Sequence, residues 1–262
     1  MRKYTTLIEA GIKSSFAYRF KIITSLLFNV IYLYILFFIW KGIYSSHENI
    51  AGLTFEETYS YIAVSTVLTY LFNSRTDWRM SMRVLNGQII GYYSKPLPIQ
   101  LQFFFEAIGG VIVQFFIVLI PVIVFVSIIG TGFPDYQNII FFILSLPLAF
   151  IINFCFEYSI GTISFYTESL WGVIILKNTV IAFFSGGLLP VRFFPENIQV
   201  LIKWLPFRGI IDIPINILNG RSLNYATLLW YIAMQTFWVV MLVWVSHSFY
   251  KKSEKVMIVN GG

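Results

Sequence analysis

Charge is what this sequence has least of. Only 11% of its 262 residues are Asp, Glu, Lys or Arg, against about 25% in a typical soluble domain. That leaves no room for a sizeable soluble domain and points to an integral membrane protein. Cysteine is scarcer still: Cys155 stands alone in an apolar run, which excludes an intramolecular disulfide and a multi-cysteine metal site. The histidines are His47 and His247, expected close to opposite faces of a membrane, and H-E-x-x-H is missing, so no histidine-based metal or catalytic centre is expected. The phosphate-cradling pattern G-x-x-x-x-G-K-[ST] occurs nowhere, so the chain has no P-loop with which to hydrolyse ATP. G-x-S-x-G is absent too, which removes the simplest serine-hydrolase reading. Residues 1–21 carry Arg2, Lys3, Lys13, Arg19 and Lys21 without an early apolar core. They do not read as a cleavable signal peptide, and the first span is expected to act as its own insertion signal.

What is present is apolar. Hydrophobic residues make up 58% of the chain and the mean hydropathy is +0.76. Crossing the hydrocarbon takes about 20 such residues. Runs that qualify are Ile22 to Trp40, Thr58 to Ser74, Leu101 to Ile129 with a bend expected at Pro121, Tyr136 to Ile163, Leu170 to Pro190, and Ser222 to Tyr250. The second is short and rich in Thr, Ser and Tyr, so it is expected to pack on protein rather than lipid. A tight turn is expected over Gly130 to Asp135. Residues 4–20 set Tyr4, Leu7, Ile8, Ile12 and Phe16 along one helical arc with Arg2, Glu9 and Lys13 largely on the other, the pattern of a helix lying in the interface. The expected fold is therefore all-α: one polytopic transmembrane domain over residues 1–262 with about six transmembrane helices and an N-terminal interfacial helix over 1–21.

Basic residues orient it. The N-terminal segment, the loop at 74–98 and the tail with Lys251, Lys252 and Lys255 together hold twelve Lys and Arg, against five in the opposite loops: Lys41, Arg192, Lys203, Arg208 and Arg221. By the positive-inside rule both termini are expected in the cytoplasm. The formal charge of +6 then reflects the cytoplasmic face and its anionic lipid, not a nucleic-acid partner. Residues 185–221 break the pattern, being too apolar for an aqueous loop and too rich in Pro and Gly for a span. Short re-entrant or interfacial helices on the outer side are expected there, one starting at Pro195 or Asn197 and ending at Trp204, with Ile198, Leu201 and Leu205 on one face.

The longest polar interruption in the front half is NSRTDWRMSMRVLNGQIIGYYSKPLPIQ, residues 73–100. A short amphipathic helix is expected over Arg75 to Leu85, with Trp78, Met82 and Leu85 on one face, before Gly87, Gly91, Pro96 and Pro98 break it. Trp78 reads either as an aromatic anchor at headgroup level or as a knob for a groove in a partner protein, flanked by Arg75, Arg79 and Arg83. Ionisable residues inside spans are functional candidates by default, and here these are Glu106, Glu157 and Lys177, all expected at a similar shallow depth in the inner leaflet. Either Lys177 pairs with Glu157 or Glu106 at the mouth of a pathway, or each snorkels to the interface alone.

This plan resembles the permease subunit of ATP-binding-cassette transporters of the type-2 exporter family. GQIIGYYSKPLP (Gly87 to Pro98) is similar to the segment that follows the family's coupling helix. GGLLPVRFFP and LPFRGIIDIP (Gly186 to Pro195, Leu205 to Pro214) are similar to its outer segment. The resemblance implies that Asp77 to Leu85 is a coupling helix, with Arg75, Asp77, Trp78, Arg79, Met82 and Arg83 engaging a separate ATPase subunit. It implies two ATPase copies holding ATP and magnesium, no cofactor in this chain, and a second permease, identical or homologous. It implies a pathway between permeases lined by spans one, two and five, and export of an amphipathic or hydrophobic compound, peptide or lipid. The AT-rich flavour of the composition, with much Ile, Phe, Tyr and Lys, points to the plasma membrane of a bacterium. The competing reading is an ion-coupled secondary transporter, which calls for inverted repeats and midplane broken helices; a membrane-embedded enzyme or an assembly factor is a third.

Overall fold

The computed structural model describes residues 2–17, 19–119, 138–220 and 223–256. Regular structure among them is helical, and the single backbone bridge joins Ile50 to Leu53 in the turn before the third helix. In chain order the helices are α1 (Arg2–Ala17), α2 (Arg19–Tyr44), α3 (Phe55–Phe72), α4 (Thr76–Leu85), α5 (Ile90–Tyr93) and α6 (Ile99–Gln114). They continue with α7 (Ile139–Thr162), α8 (Trp171–Phe184), α9 (Glu196–Trp204), α10 (Asp212–Asn219) and α11 (Tyr225–Ser253). Among the described residues, four helical stretches are long and apolar enough to cross a bilayer: Leu27–Tyr44, Ile99–Ile117, Ile139–Phe165 and Tyr225–Val256. The expected bend at Pro121, the turn at 130–135 and the ends of the spans that flank them lie outside the described residues.

Helix α3, the expected second span, has 18 residues and starts at a capping box. Thr54 Oγ1 accepts from Glu57 N at 3.3 Å and the Glu57 carboxylate accepts from Thr54 N at 3.1 Å. Most of α3 is buried by protein, with Thr58, Tyr59, Ser65 and Leu68 all but sealed. Its Thr and Tyr hydroxyls bond within that interior: Tyr44 Oη and Thr58 Oγ1 are 2.6 Å apart, and Tyr59 donates to Leu33 O at 3.2 Å. Helix α2, in contrast, turns Phe28, Ile31, Ile35 and Ile39 outward at half exposure or more, as lipid contact requires.

Helix α7 is the hub. It packs against α3, α4, α6, α8, α10 and α11, and Ala149, Ile152, Phe154 and Tyr158 lie in the main apolar core with Phe103 of α6 and Leu71 and Phe72 of α3. Aromatic rings extend that core in series, Tyr92 to Phe103 at 4.7 Å, Phe103 to Tyr158 at 6.2 Å and Tyr158 to Tyr250 at 5.6 Å.

The N-terminal helix is a separate element, as expected, and it lies across α6. Gly11 and Gly109 meet at the crossing, where a methyl on either would overlap the backbone carbonyl oxygen of Glu106 or of Ile8. Only glycine allows two helix backbones to approach so closely.

The fifth apolar helix is shorter than expected. It stops at Phe184 rather than running to Pro190, because Gly186 takes a left-handed conformation (φ +79°) against the Tyr61 hydroxyl, where no Cβ fits. The broken stretch that follows holds α9 and α10 between tight turns at Val191–Phe193 and Pro206–Gly209. Pro195 sits at the N-cap of α9. Its inner face is Ile198 and Ile202, the latter wholly buried, while Leu201 points outward at 55% exposure. The expected face was thus misaligned by one residue, because α9 rests on the Pro206–Gly209 turn behind it.

Candidate functional site

Helix α4 is entered through Arg75, whose backbone is left-handed (φ 53°, ψ 34°) and whose side chain does not cap the helix. The cap comes from another helix. Glu157 of α7 accepts from Thr76 N at 2.9 Å and from the Ser74 hydroxyl, while Asn153 Nδ2 donates to its other oxygen at 3.1 Å. A carboxylate here meets both the unpaired amides and the positive end of the helix dipole.

One turn in, Asp77 Oδ2 receives Lys177 Nζ of α8 at 2.7 Å and Asp77 Oδ1 accepts from Trp78 N at 2.7 Å. Both members of the ion pair are buried, with side-chain exposures of 7% and 3%. At the far end of α4, Arg83 Nη1 binds Glu106 Oε2 of α6 at 2.8 Å and Tyr92 Oη donates to Glu106 Oε1 at 2.8 Å. The Arg83 guanidinium also lies 4.7 Å over the Tyr92 ring and 5.4 Å from that of Phe103.

Between these anchors Met80 is fully buried on Gly161 of α7, where an added Cβ would sit 3.0 Å from Met80 Cβ and 3.1 Å from Asp77 Cα. Arg79 is part-buried and donates to Thr76 Oγ1 at 3.2 Å, and its Nε has no hydrogen-bond partner among the described residues. Burial holds its guanidinium below the ordinary arginine value, with Arg83 adding to the lowering and the carboxylates of Glu106, Glu157 and Asp77 opposing it.

The opposite face of α4 is unpartnered and apolar. Trp78, Met82 and Leu85 are 40%, 38% and 45% exposed, on the face the spacing predicts, and Arg75 is exposed beside them. Two sequence expectations need correction. Lys177 pairs with neither Glu157 nor Glu106: each of the three finds a nearer counter-group on α4 or at its start, a helix that the sequence alone does not put within reach. Asp77, grouped with the partner-facing residues, is buried against Lys177, because a charge inside the bundle needs an opposite charge or several hydrogen bonds, while Arg83 is paired with Glu106 and stays part-exposed.

A second charge cluster escaped the sequence reading. Asp212 of α10, 3% exposed, accepts from Arg208 Nε at 2.7 Å and from Tyr61 Oη of α3 at 3.2 Å. Its own N–H donates to Ser185 O at 2.9 Å, and Arg208 lies 5.3 Å over the Tyr231 ring. The signal was available: Arg and Asp at i and i+4 inside the apolar run LPFRGIIDIP. Among the described residues no three His, Cys, Asp or Glu side chains gather as a metal site.

Long apolar helices, buried charge clusters that tie several of them together and an exposed amphipathic helix define a multi-pass helical membrane protein. Residues 30–256 match the model of the family described as ABC-2 family transporter protein, and the chain belongs to that family. It is an ABC transporter permease by class. A search of curated proteins finds no match.

Proposed function

We propose that this chain is the membrane-spanning subunit of an ABC exporter, and that α4 is the coupling helix through which a separate ATPase moves it. The observation that carries this reading is that Glu106, Glu157 and Lys177, from three different helices, all end on α4 or at its start. A push on α4 is therefore felt at once by α6, α7 and α8. The exposed stripe of Trp78, Met82 and Leu85 is the surface the ATPase grips, since buried aromatic anchors dominate such interfaces. Two ATPase subunits, which bind ATP and magnesium, and a second permease, identical or homologous, complete the transporter.

In this reading α3 and α8 complete about six spans with the four long helices, α1 lies at the cytoplasmic interface, both termini are cytoplasmic, and residues 185–221 lie outside. The pathway runs between permeases along α2, α3 and α8, and it carries an amphipathic compound, peptide or lipid out of a bacterial cell.

The test is capture of the tagged chain from its native host in mild detergent. A Walker-motif ATPase is expected with the wild type and is expected to be lost from Trp78→Ala combined with Met82→Glu, at unchanged yield and unfolding temperature. Recovery of the wild type with no ATPase would overturn the reading.

A further inference from the structure

A cavity of 220 Å³ opens between α3, α7 and α8, with Thr69, Asn73, Asn153, Glu157, Asn178 and Ser185 supplying its polar wall. The polar residues run from outside to inside. Thr69, Asn73 and Asn178 are exposed at the mouth, while Asn153, Glu157 and Ser185 are buried behind them at 6%, 1% and 0% exposure. Phe72, Ile181 and Ile210 form the apolar side. Asn153, Glu157 and Ser185 are hydrogen-bonded within the protein, so the groups placed to meet an occupant are Thr69, Asn73 and Asn178 at the mouth.

The charges nearby select its type. Glu157, Asp77 and Glu106 are matched by Lys177, Arg79 and Arg83, joined by ion pairs or acting on one another electrostatically. A net-neutral surround with carboxamides and hydroxyls at the mouth favours an uncharged hydrogen-bonding group over an ammonium or a phosphate. Size limits it further, because drug-sized ligands occupy about 300 to 1,000 Å³. The cavity takes a head group and leaves an attached chain to lie along the exposed apolar face of α8, where Trp171, Ile175 and Phe183 are uncovered.

We propose that this cavity binds the uncharged, hydroxyl-bearing head group of an amphipathic molecule, and that Glu157 in its wall makes occupancy felt at α4, which the same carboxylate caps. The proposal rests on the permease reading for its meaning in transport, and not for the binding itself.

The test uses the full chain in lipid nanodiscs with an alkyl glucoside that carries a photoreactive diazirine on the chain carbons next to the sugar. Crosslinks are mapped by mass spectrometry, with decyl glucoside, decyltrimethylammonium or decyl sulfate as competitors. Labelling near residues 69–73 and 178–182 is expected, competed by the glucoside alone. Asn178→Leu, an exposed change that leaves the core intact, is expected to lower it about tenfold, the loss of one or two hydrogen bonds, and Ala182→Phe to abolish it by filling the space. Equal competition by the ionic amphiphiles, or labelling unchanged in both variants, overturns the proposal, as does an Asn178→Leu effect on self-association instead of labelling. ATPase capture on the same preparations separates the two readings: capture without selective labelling sinks the cavity alone, and selective labelling without capture sinks the permease reading and leaves the site.

Discussion

Lys177 and Asp77 meet at 2.7 Å with almost no solvent access, so their value depends on staying together. Removing one partner of such a pair leaves an uncompensated buried charge and costs about 3–5 kcal/mol, whereas removing both is much milder. Lys177→Met is therefore expected to lower the unfolding midpoint sharply, and Lys177→Met with Asp77→Asn to regain most of the loss, as read by tryptophan fluorescence during heating. A double variant no more stable than Lys177→Met alone would refute the pairing. Arg75 gives a contrasting test at the same scale, because its left-handed backbone costs a non-glycine residue about 1–2 kcal/mol and is worst for a β-branched one. Arg75→Gly is expected to be neutral or stabilising, and Arg75→Val destabilising, by the same thermal measurement.

At the level of elements, α4 has a face tied into the bundle by Glu157, Lys177 and Glu106 and an apolar face left uncovered. This division explains why its outward substitutions are expected to uncouple a partner without unfolding the chain. The crossing of α1 over α6 is a different kind of joint, made by absence of side chains. Gly109→Leu is expected to push α1 off α6, because a side chain there has only the Ile8 carbonyl and the Gly11 backbone to occupy. Limited proteolysis is expected to release residues 2–17 from this variant and not from the wild type.

For the whole molecule, α3 links the two polar clusters. Tyr61 holds Asp212 and the broken outer segment, and the chain leaves Phe72 for Ser74 and Thr76, which Glu157 grips. Eleven residues of α3 separate Tyr61 from Phe72, roughly 16 Å along the helix. The two clusters therefore sit toward opposite ends of the bundle. Cys155 is buried, so single-cysteine labelling with a membrane-impermeant maleimide needs no cysteine-free background. Glu48→Cys is expected to react in intact cells and Gln88→Cys only after the membrane is opened. Reaction of both from the same side would overturn the topology.

Composition and patterning were enough to determine an all-helical membrane protein, the amphipathic character and outward face of α4, the ionisable residues within the apolar helices α6, α7 and α8, and an irregular apolar segment before α11. These follow from burial of apolar area and helical period, which are local properties of the chain. Which charges pair was decided only by the tertiary structure. Glu157 lies 81 residues from Thr76 and Lys177 100 residues from Asp77, and no periodicity links positions that far apart. Two charges chosen by depth alone have several equally good partners. The packing of α4 onto Gly161 removes that ambiguity by bringing one partner, Asp77, within 3 Å of Lys177.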